Sequence, residues 1–147
     1  MTMIFGTMEK AMEYADQGKV EEWLQLFLRN DGKNILFADG LLLEPRYYVG
    51  PVKTDIRIFN IEEGAPSYLT QENDIEWFFT IVDRIKSIYN HWDMPPLIVN
   101  YANGIYEVND GRHRYEALRQ MNITKAYVIF WTSSEEDYMK LKAMEMS

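Results

Sequence analysis

Between Leu97 and Met121 the order of residue types leaves few folds open. Leu97–Tyr101 and Ile105–Val108 are short runs rich in β-branched and aromatic residues, separated by Ala102-Asn103-Gly104. Asn103 and Gly104 tolerate the positive φ of a tight turn, so the two runs predict a β-hairpin over Leu97–Asp110. Its second strand runs through Asn109-Asp110-Gly111-Arg112-His113 into Arg114–Met121, which has the composition of a helix. With helices and strands both expected along the chain, the fold class is expected to be α+β. The same turn places a glycine and three basic side chains at a helix start, where unpaired N–H groups and the helix dipole favour an anion.

The rest of the chain extends this reading. Thr7–Asp16 and Lys19–Arg29 carry apolar residues at helical spacing, closed by Gly18 and by Asn30-Asp31-Gly32. Their large apolar side chains (Trp23, Leu24 and Phe27 in the second) read as core. Asn34–Leu43 fits either a short helix or a small hairpin around Asp39-Gly40. Arg46–Val49 and Val52–Ile61 read as extended, with Pro51 placing the second at a sheet edge or a bend. Glu62–Gln71, with Gly64, Pro66 and Ser67, reads as a loop. Asp74–Trp92 is the longest periodic segment: Phe78, Val82, Ile85 and Trp92 share one apolar face, Asn73 or Asp74 caps its start, and Pro95-Pro96 stop it. Ala126–Trp131 is apolar on both alternating sets and reads as a central strand. Ser133-Ser134-Glu135-Glu136 reads as a capping box for a last helix, Ser134–Met144.

At 147 residues, with 47% apolar and 14% aromatic residues, the chain is long and apolar enough for one folded domain. Residues 1–50 read as a helical N-terminal extension and residues 51–147 as the main domain. A net charge of −8 argues against nucleic acid as the main partner. The absence of cysteine removes disulfides, thiolate zinc sites and thiol catalysis. Met1–Gly18 carries Glu9, Glu13 and Asp16, unlike a signal peptide, and no stretch approaches the ~20 apolar residues of a membrane span. A soluble cytoplasmic protein is the expectation.

Three basic groups at one helix start in an acidic chain point to a bound polyphosphate, with a strand-to-helix turn carrying solvated basic residues as the plain alternative. Gly111, Arg112, His113 and Arg114 are the candidate phosphate-binding residues, since arginine grips phosphate oxygens with parallel hydrogen bonds. Asp110 reads as a metal ligand beside the phosphates or as an acid orienting His113 or Arg114, with a helix cap as the plain alternative. His113 reads as a general base, a phosphate donor or a buried structural residue. His91, at the end of the long helix, reads as a partner for its dipole. Glu62, Glu63, Glu72 and Asp74 lie in or after the loop before the long helix, and one of them could act as a base on a hydroxyl. Tyr47, Tyr48, Trp77, Trp92 and Trp131 are the aromatics available to stack on a base.

From about Asp55 to Trp131, half of the chain, the sequence resembles the ParB N-terminal/sulfiredoxin superfamily. The resemblance rests on an ordered set: Ile56–Ile61, the long helix, Pro95-Pro96-Leu97-Ile98-Val99, Ile105–Val108, Asp110-Gly111-Arg112-His113-Arg114-Tyr115-Glu116-Ala117 and Ile123–Trp131. It implies a mixed sheet with packed helices and a turn that binds nucleotide phosphates. Sulfiredoxins place a catalytic cysteine directly after the glycine, where this chain has Arg112, so their reductase chemistry is excluded. ParB partition proteins place a glutamate there and follow this domain with a DNA-binding one. Arg112, and the 16 residues after Trp131, argue against a partition role. The nearest turn is that of the free-serine kinases, Asp-Gly-His-His-Arg, from which only Arg112 departs. Those kinases use an upstream acidic base, a role for which Glu72 is the candidate.

The expectation is therefore an ATP- or ADP-binding domain with Mg²⁺. Asp110, His113 and Glu72 are its candidate catalytic residues, and it acts as a phosphotransferase or nucleotide hydrolase on a small-molecule acceptor. The alternative is a non-catalytic regulatory or interaction module, with the N-terminal helices as a partner surface or homodimer interface.

Overall fold

A computed structural model describes residues 5–145, so Met1–Ile4 of the N-terminal stretch lie outside it. Its elements are α1 (Met8–Asp16), α2 (Val20–Arg29), α3 (Ile35–Leu41), β1 (Tyr47–Asp55), α4 (Glu72–Ile88), β2 (Leu97–Ala102), β3 (Ile105–Asp110), α5 (Arg112–Gln120), β4 (Lys125–Thr132) and α6 (Glu135–Glu145). The fold is α+β. The four strands form one mixed sheet in the order β1-β4-β2-β3. β4 pairs antiparallel with β1 and parallel with β2, and β2 pairs antiparallel with β3.

Side chains alternate across a strand, and here both faces are covered. Leu97 and Val99 of β2, with Val128 and Phe130 of β4, face Tyr115 and Leu118 of α5 and Leu141 of α6. Ile98 and Ile129 point the other way, into a cluster with Trp23, Leu24, Phe27 and Leu28 of α2 and Ala38 and Leu41 of α3. That is why Leu97–Val99 is apolar without a break. The first three helices are thus the second cover of the sheet. Trp23 stacks on Phe27 with ring centroids 4.9 Å apart, and its indole N–H donates to the Phe5 carbonyl at 2.8 Å. α4 packs outside, where Phe78, Val82 and Ile85 meet Ala117 of α5.

Most expected elements are present and several boundaries move. Asn34–Leu43 resolves as a helix, with the Asn34 side chain accepting from the Phe37 amide. β4 is an interior strand, as its composition demands. Pro51 lies inside β1 rather than before it. β1 is an edge strand and its register with β4 skips between Val49 and Val52, so no ladder donor is needed there. β1 consequently begins at Tyr47 and crosses the expected boundary at residue 50. The extended run expected to reach Ile61 stops at Asp55, whose side chain accepts from the Arg57 amide at 2.9 Å and starts a 3₁₀ turn over Ile56–Ile58. α4 is capped by neither Asn73 nor Asp74: its N-cap is Gln71, without a side-chain bond. Past Ile88 it tightens into a 3₁₀ turn, Tyr89–His91, where His91 is exposed. At α6 the reciprocal cap is Ser134 with Asp137: the Asp137 amide donates to Ser134 Oγ at 3.1 Å, and the hydroxyl donates back to Asp137 Oδ2 at 3.0 Å. Among the described residues no helix is long and apolar enough to cross a membrane.

Candidate functional site

The turn between β3 and α5 is built around Gly111. Its φ of 113° lies in the left-handed region, and a Cβ there would sit 2.5 Å from Leu97 Cδ2 and 3.0 Å from Arg114 Nη2. Only glycine meets both demands. Gly111 is also the N-cap of α5 and supplies no side-chain acceptor. The Tyr115 amide bonds back to the Gly111 carbonyl at 2.8 Å. Within the described residues the three amides before it, those of Arg112, His113 and Arg114, have no protein acceptor. The positive end of the helix is left open.

The side chains divide sharply between fold and surface. Arg114 is 7% exposed. Its Nη1 donates to the carbonyls of Pro95 at 2.6 Å and Pro96 at 3.0 Å, and its Nη2 donates to Asp110 Oδ2 at 2.8 Å. The guanidinium carbon lies 5.9 Å from the centroid of Phe27 in α2. Burial lowers its pKa and the Asp110 charge opposes that shift. A residue expected to grip phosphate thus has its guanidinium engaged inside the fold. Asp110 is engaged with Arg114 within the fold: Oδ2 accepts from Arg114 and Oδ1 accepts from Asn34 Nδ2 at 3.5 Å. Helix capping falls to Gly111 instead.

Arg112 and His113 face outward from the same turn. Arg112 Nη2 donates to Glu62 Oε1 at 2.8 Å, while its Nε is buried without a partner. Glu62 also accepts from the Ser67 amide at 2.7 Å. That bond, with the Arg112 contact, holds its pKa below the ordinary carboxylate value. The His113 ring lies against Phe78 of α4, 4.7 Å between centroids, and its nitrogens make no hydrogen bond with the described residues. Burial lowers its pKa from the usual 6.5; Arg114 and Arg112 add to this and Asp110 opposes it.

Two cavities meet at this histidine. A cleft of about 270 Å³ is lined by Arg112 and His113, by Asp74 and Trp77 of α4, and by Tyr68. A chamber of about 430 Å³ on the other side is lined by Gly111, Arg114, Asp110, Asp31, Phe27 and Trp92. His113 and Ile81 border both. Trp77 and Tyr68 are largely exposed on the cleft. Glu72, the acid expected as base, sits exposed at the first position of α4 and lines neither cavity. Asp74, two residues on, lines the cleft. The loop before α4 does reach the Gly111 turn, through the contact of Glu62 with Arg112. The other aromatics are placed elsewhere: Tyr47 stacks on Tyr138, the Tyr48 hydroxyl is buried without a partner, and Trp131 lies under Arg46.

Glu116 escaped sequence reasoning. It is 1% exposed, and its carboxylate accepts from Arg119 at 2.9 and 2.6 Å, from Gln120 at 2.9 Å and from the Gly64 amide at 2.8 Å. The loop Glu62–Gln71 is thereby pinned to α5. The Arg119 and Gln120 contacts, at three and four residues, are visible in the helical spacing. The Gly64 contact, across 52 residues, has no local signal. Desolvation raises the Glu116 pKa, but these hydrogen bonds outweigh it and the net shift is downward.

Among the described residues no group of three or more His, Asp or Glu side chains is placed to hold a metal ion. Asp110 alone, already neutralised by Arg114, does not fit a resident Mg²⁺ ligand. The donor set of three amides, a guanidinium and an imidazole fits phosphate oxygens. No family model and no curated protein matches this chain.

Two outcomes follow from the buried charges. Arg114→Ala leaves Asp110 Oδ2 and two proline carbonyls without their partner and lowers unfolding free energy by about 3–5 kcal/mol in urea titrations. Arg114→Lys recovers only part of this, because one ammonium cannot reproduce the planar fork. Glu116→Gln costs about 2 kcal/mol at neutral pH. Because the folded Glu116 pKa is depressed, its contribution is full above the unfolded carboxyl value of ~4.3 and is lost as pH falls through the folded one. The stability gap between wild type and Glu116→Gln therefore closes on acidification, which chemical denaturation at stepped pH measures.

Proposed function

We propose that the chain is a nucleotide-binding domain of the ParB/sulfiredoxin type, with ATP or ADP as the ligand. The observation that carries this reading is the open end of α5. Three amides at the start of α5 are unpaired, and Arg112 and His113 of the same turn line a cleft that exposed Trp77 and Tyr68 also line. Amides and cation suit the phosphates, and the aromatics suit the base. The order of elements from β1 through α4, the β2–β3 hairpin, the glycine turn, α5 and β4 supports the family reading.

In this scheme Arg114 and Asp110 hold the shape of the turn and do not touch the phosphates. Arg112 is the ligating arginine, and Glu62 is its partner in the free protein. Mg²⁺ would arrive with the nucleotide. If the complex transfers a phosphoryl group, Asp74 is the cleft carboxylate available as base on an acceptor hydroxyl, in place of Glu72. The engagement of Asp110 in the fold favours a binding module as the second reading, in which nucleotide is held without turnover.

Thermal stability against ATP, ADP and tripolyphosphate, with and without Mg²⁺, tests the site. A bound nucleotide raises Tm, with ~2.7 kcal/mol of stabilisation at one hundred times its Kd. Arg112→Ala abolishes the shift. Glu62→Gln releases Arg112 and tightens binding about two- to fivefold, the scale of an exposed ion pair. No shift with any of the three ligands sinks the reading.

The histidine gives a pH signature. Free His113 has a depressed pKa, and a phosphate beside it reverses that shift. Affinity therefore rises as pH falls from about 8 to 6. Calorimetric titrations over this range should show the slope in wild type and its loss in His113→Asn.

A further inference from the structure

We infer that a cavity between the β1–β4 pair and the segment after α4 is a binding site for a small aromatic monoanion, a flat ring carrying one carboxylate-type group. The cavity holds about 420 Å³, within the ~300–1,000 Å³ of small-molecule sites. It shares only Trp92 with the chamber beside His113 and nothing with the cleft. Three separate parts of the chain wall it: Met8 at the start of α1, Trp92 and Asp93 after the 3₁₀ turn, and Lys53 of β1 with Lys125 and Tyr127 of β4.

The two lysines set the charge. Most basic residues of this acidic chain are paired with a carboxylate. The ammonium groups of Lys53 and Lys125 make no ion pair or hydrogen bond with the described residues. Lys53 lies opposite Tyr127, and Lys125 lies opposite Asp55. Both lysines and Tyr127 therefore share one face of the sheet, with the lysines as diagonal neighbours. At ~7–8 Å such neighbours are close enough for one anion to bridge. Asp55 does not serve: Arg57 donates to its two oxygens at 2.9 and 2.6 Å, and Lys125 acts on it only at a distance. A lysine on an edge strand such as β1 deters stray strand pairing, but β4 is interior and Lys125 has no such reason. The other walls define the rest of the ligand. Trp92 and Tyr127 offer aromatic surface, and the Met8 thioether adapts to irregular shapes, which suits a flat ring. Asp93 limits the charge. Its Oδ2 accepts from the Glu9 amide at 2.9 Å and its carbonyl from the Met8 amide at 3.3 Å, so it is fixed in the wall. Two ammonium groups against one carboxylate leave a single positive charge for the ligand to match.

Titration calorimetry of the full chain with 1-naphthoate, combined with NMR mapping of amide shifts, tests the inference. The acid is expected to bind with a submillimolar Kd and to shift the amides of Lys53 and Tyr127. The neutral isostere 1-naphthamide should bind about tenfold more weakly, and acetate, which lacks the ring, should not compete. Lys53→Gln with Lys125→Gln should weaken naphthoate binding by about tenfold or more, and Lys53→Arg with Lys125→Arg should retain it. Both side chains are exposed, so each variant should melt close to wild type. Arg112→Ala should leave naphthoate binding unchanged, which separates this site from the nucleotide cleft. The inference is overturned if naphthoate does not bind at millimolar concentration, if the amide binds as tightly as the acid, or if the double glutamine variant binds like wild type.

Discussion

The buried guanidinium of Arg114 joins three parts of the molecule at one point. It ties the end of β3, through Asp110, to the Pro95-Pro96 segment that leads into β2, and it lies over Phe27 in the helical cover of the opposite sheet face. A charge so deeply buried is tolerable only with its partners in place, so each partner is constrained in turn. Gly111 must lack a side chain to let the guanidinium pass. Asp110 must turn back toward α5. The start of α5 is left with a fixed direction and without a side-chain cap. The open amides beside Arg112 and His113 follow from a clamp whose own role is structural.

Glu116 secures the same helix from another side. Two residues after the clamp, its carboxylate gathers Arg119, Gln120 and the Gly64 amide and fixes the loop that leads to α4. That loop delivers Glu62 to Arg112, and α4 delivers Phe78 to His113 and Asp74 to the cleft. The walls of the candidate site are therefore set by two buried ionic residues that do not themselves face the cleft. Burial and two neighbouring arginines disfavour the charged form of His113, between the two cavities, and Asp110 opposes them. An anion bound beside the ring would favour that form. The binding and pH signatures share this electrostatic origin.

Much of the fold could be read locally. Helical spacing in residues 74–88, the Asn103-Gly104 turn and the apolar runs Leu97–Val99 and Ala126–Trp131 each depend on neighbours within a few residues, and these parts form as expected, though the long helix ends at Ile88 rather than Trp92. Boundaries moved where distant pairing intervened. Pro51 stays inside β1 because the register with β4 skips it. The extended run after it ends early because the Asp55 side chain captures a nearby amide. The ambiguous residues after Asn34 became a helix because Ala38 and Leu41 fill the cover of the sheet.

By itself the sequence determined the elements, the α+β class and the place of the basic turn, because periodicity, turn residues and charge are properties of short segments. The tertiary structure alone decided what each basic residue in that turn does. Arg112 and Arg114 are the same residue type two positions apart. One meets carbonyls 18 and 19 residues back and becomes part of the core; the other meets an exposed carboxylate 50 residues back and stays at the surface. Acceptors that far along the chain leave no trace in local spacing. The same holds for Glu72 and Asp74, which differ by two positions on α4, where the turn of the helix directs one away from the cleft and the other into it.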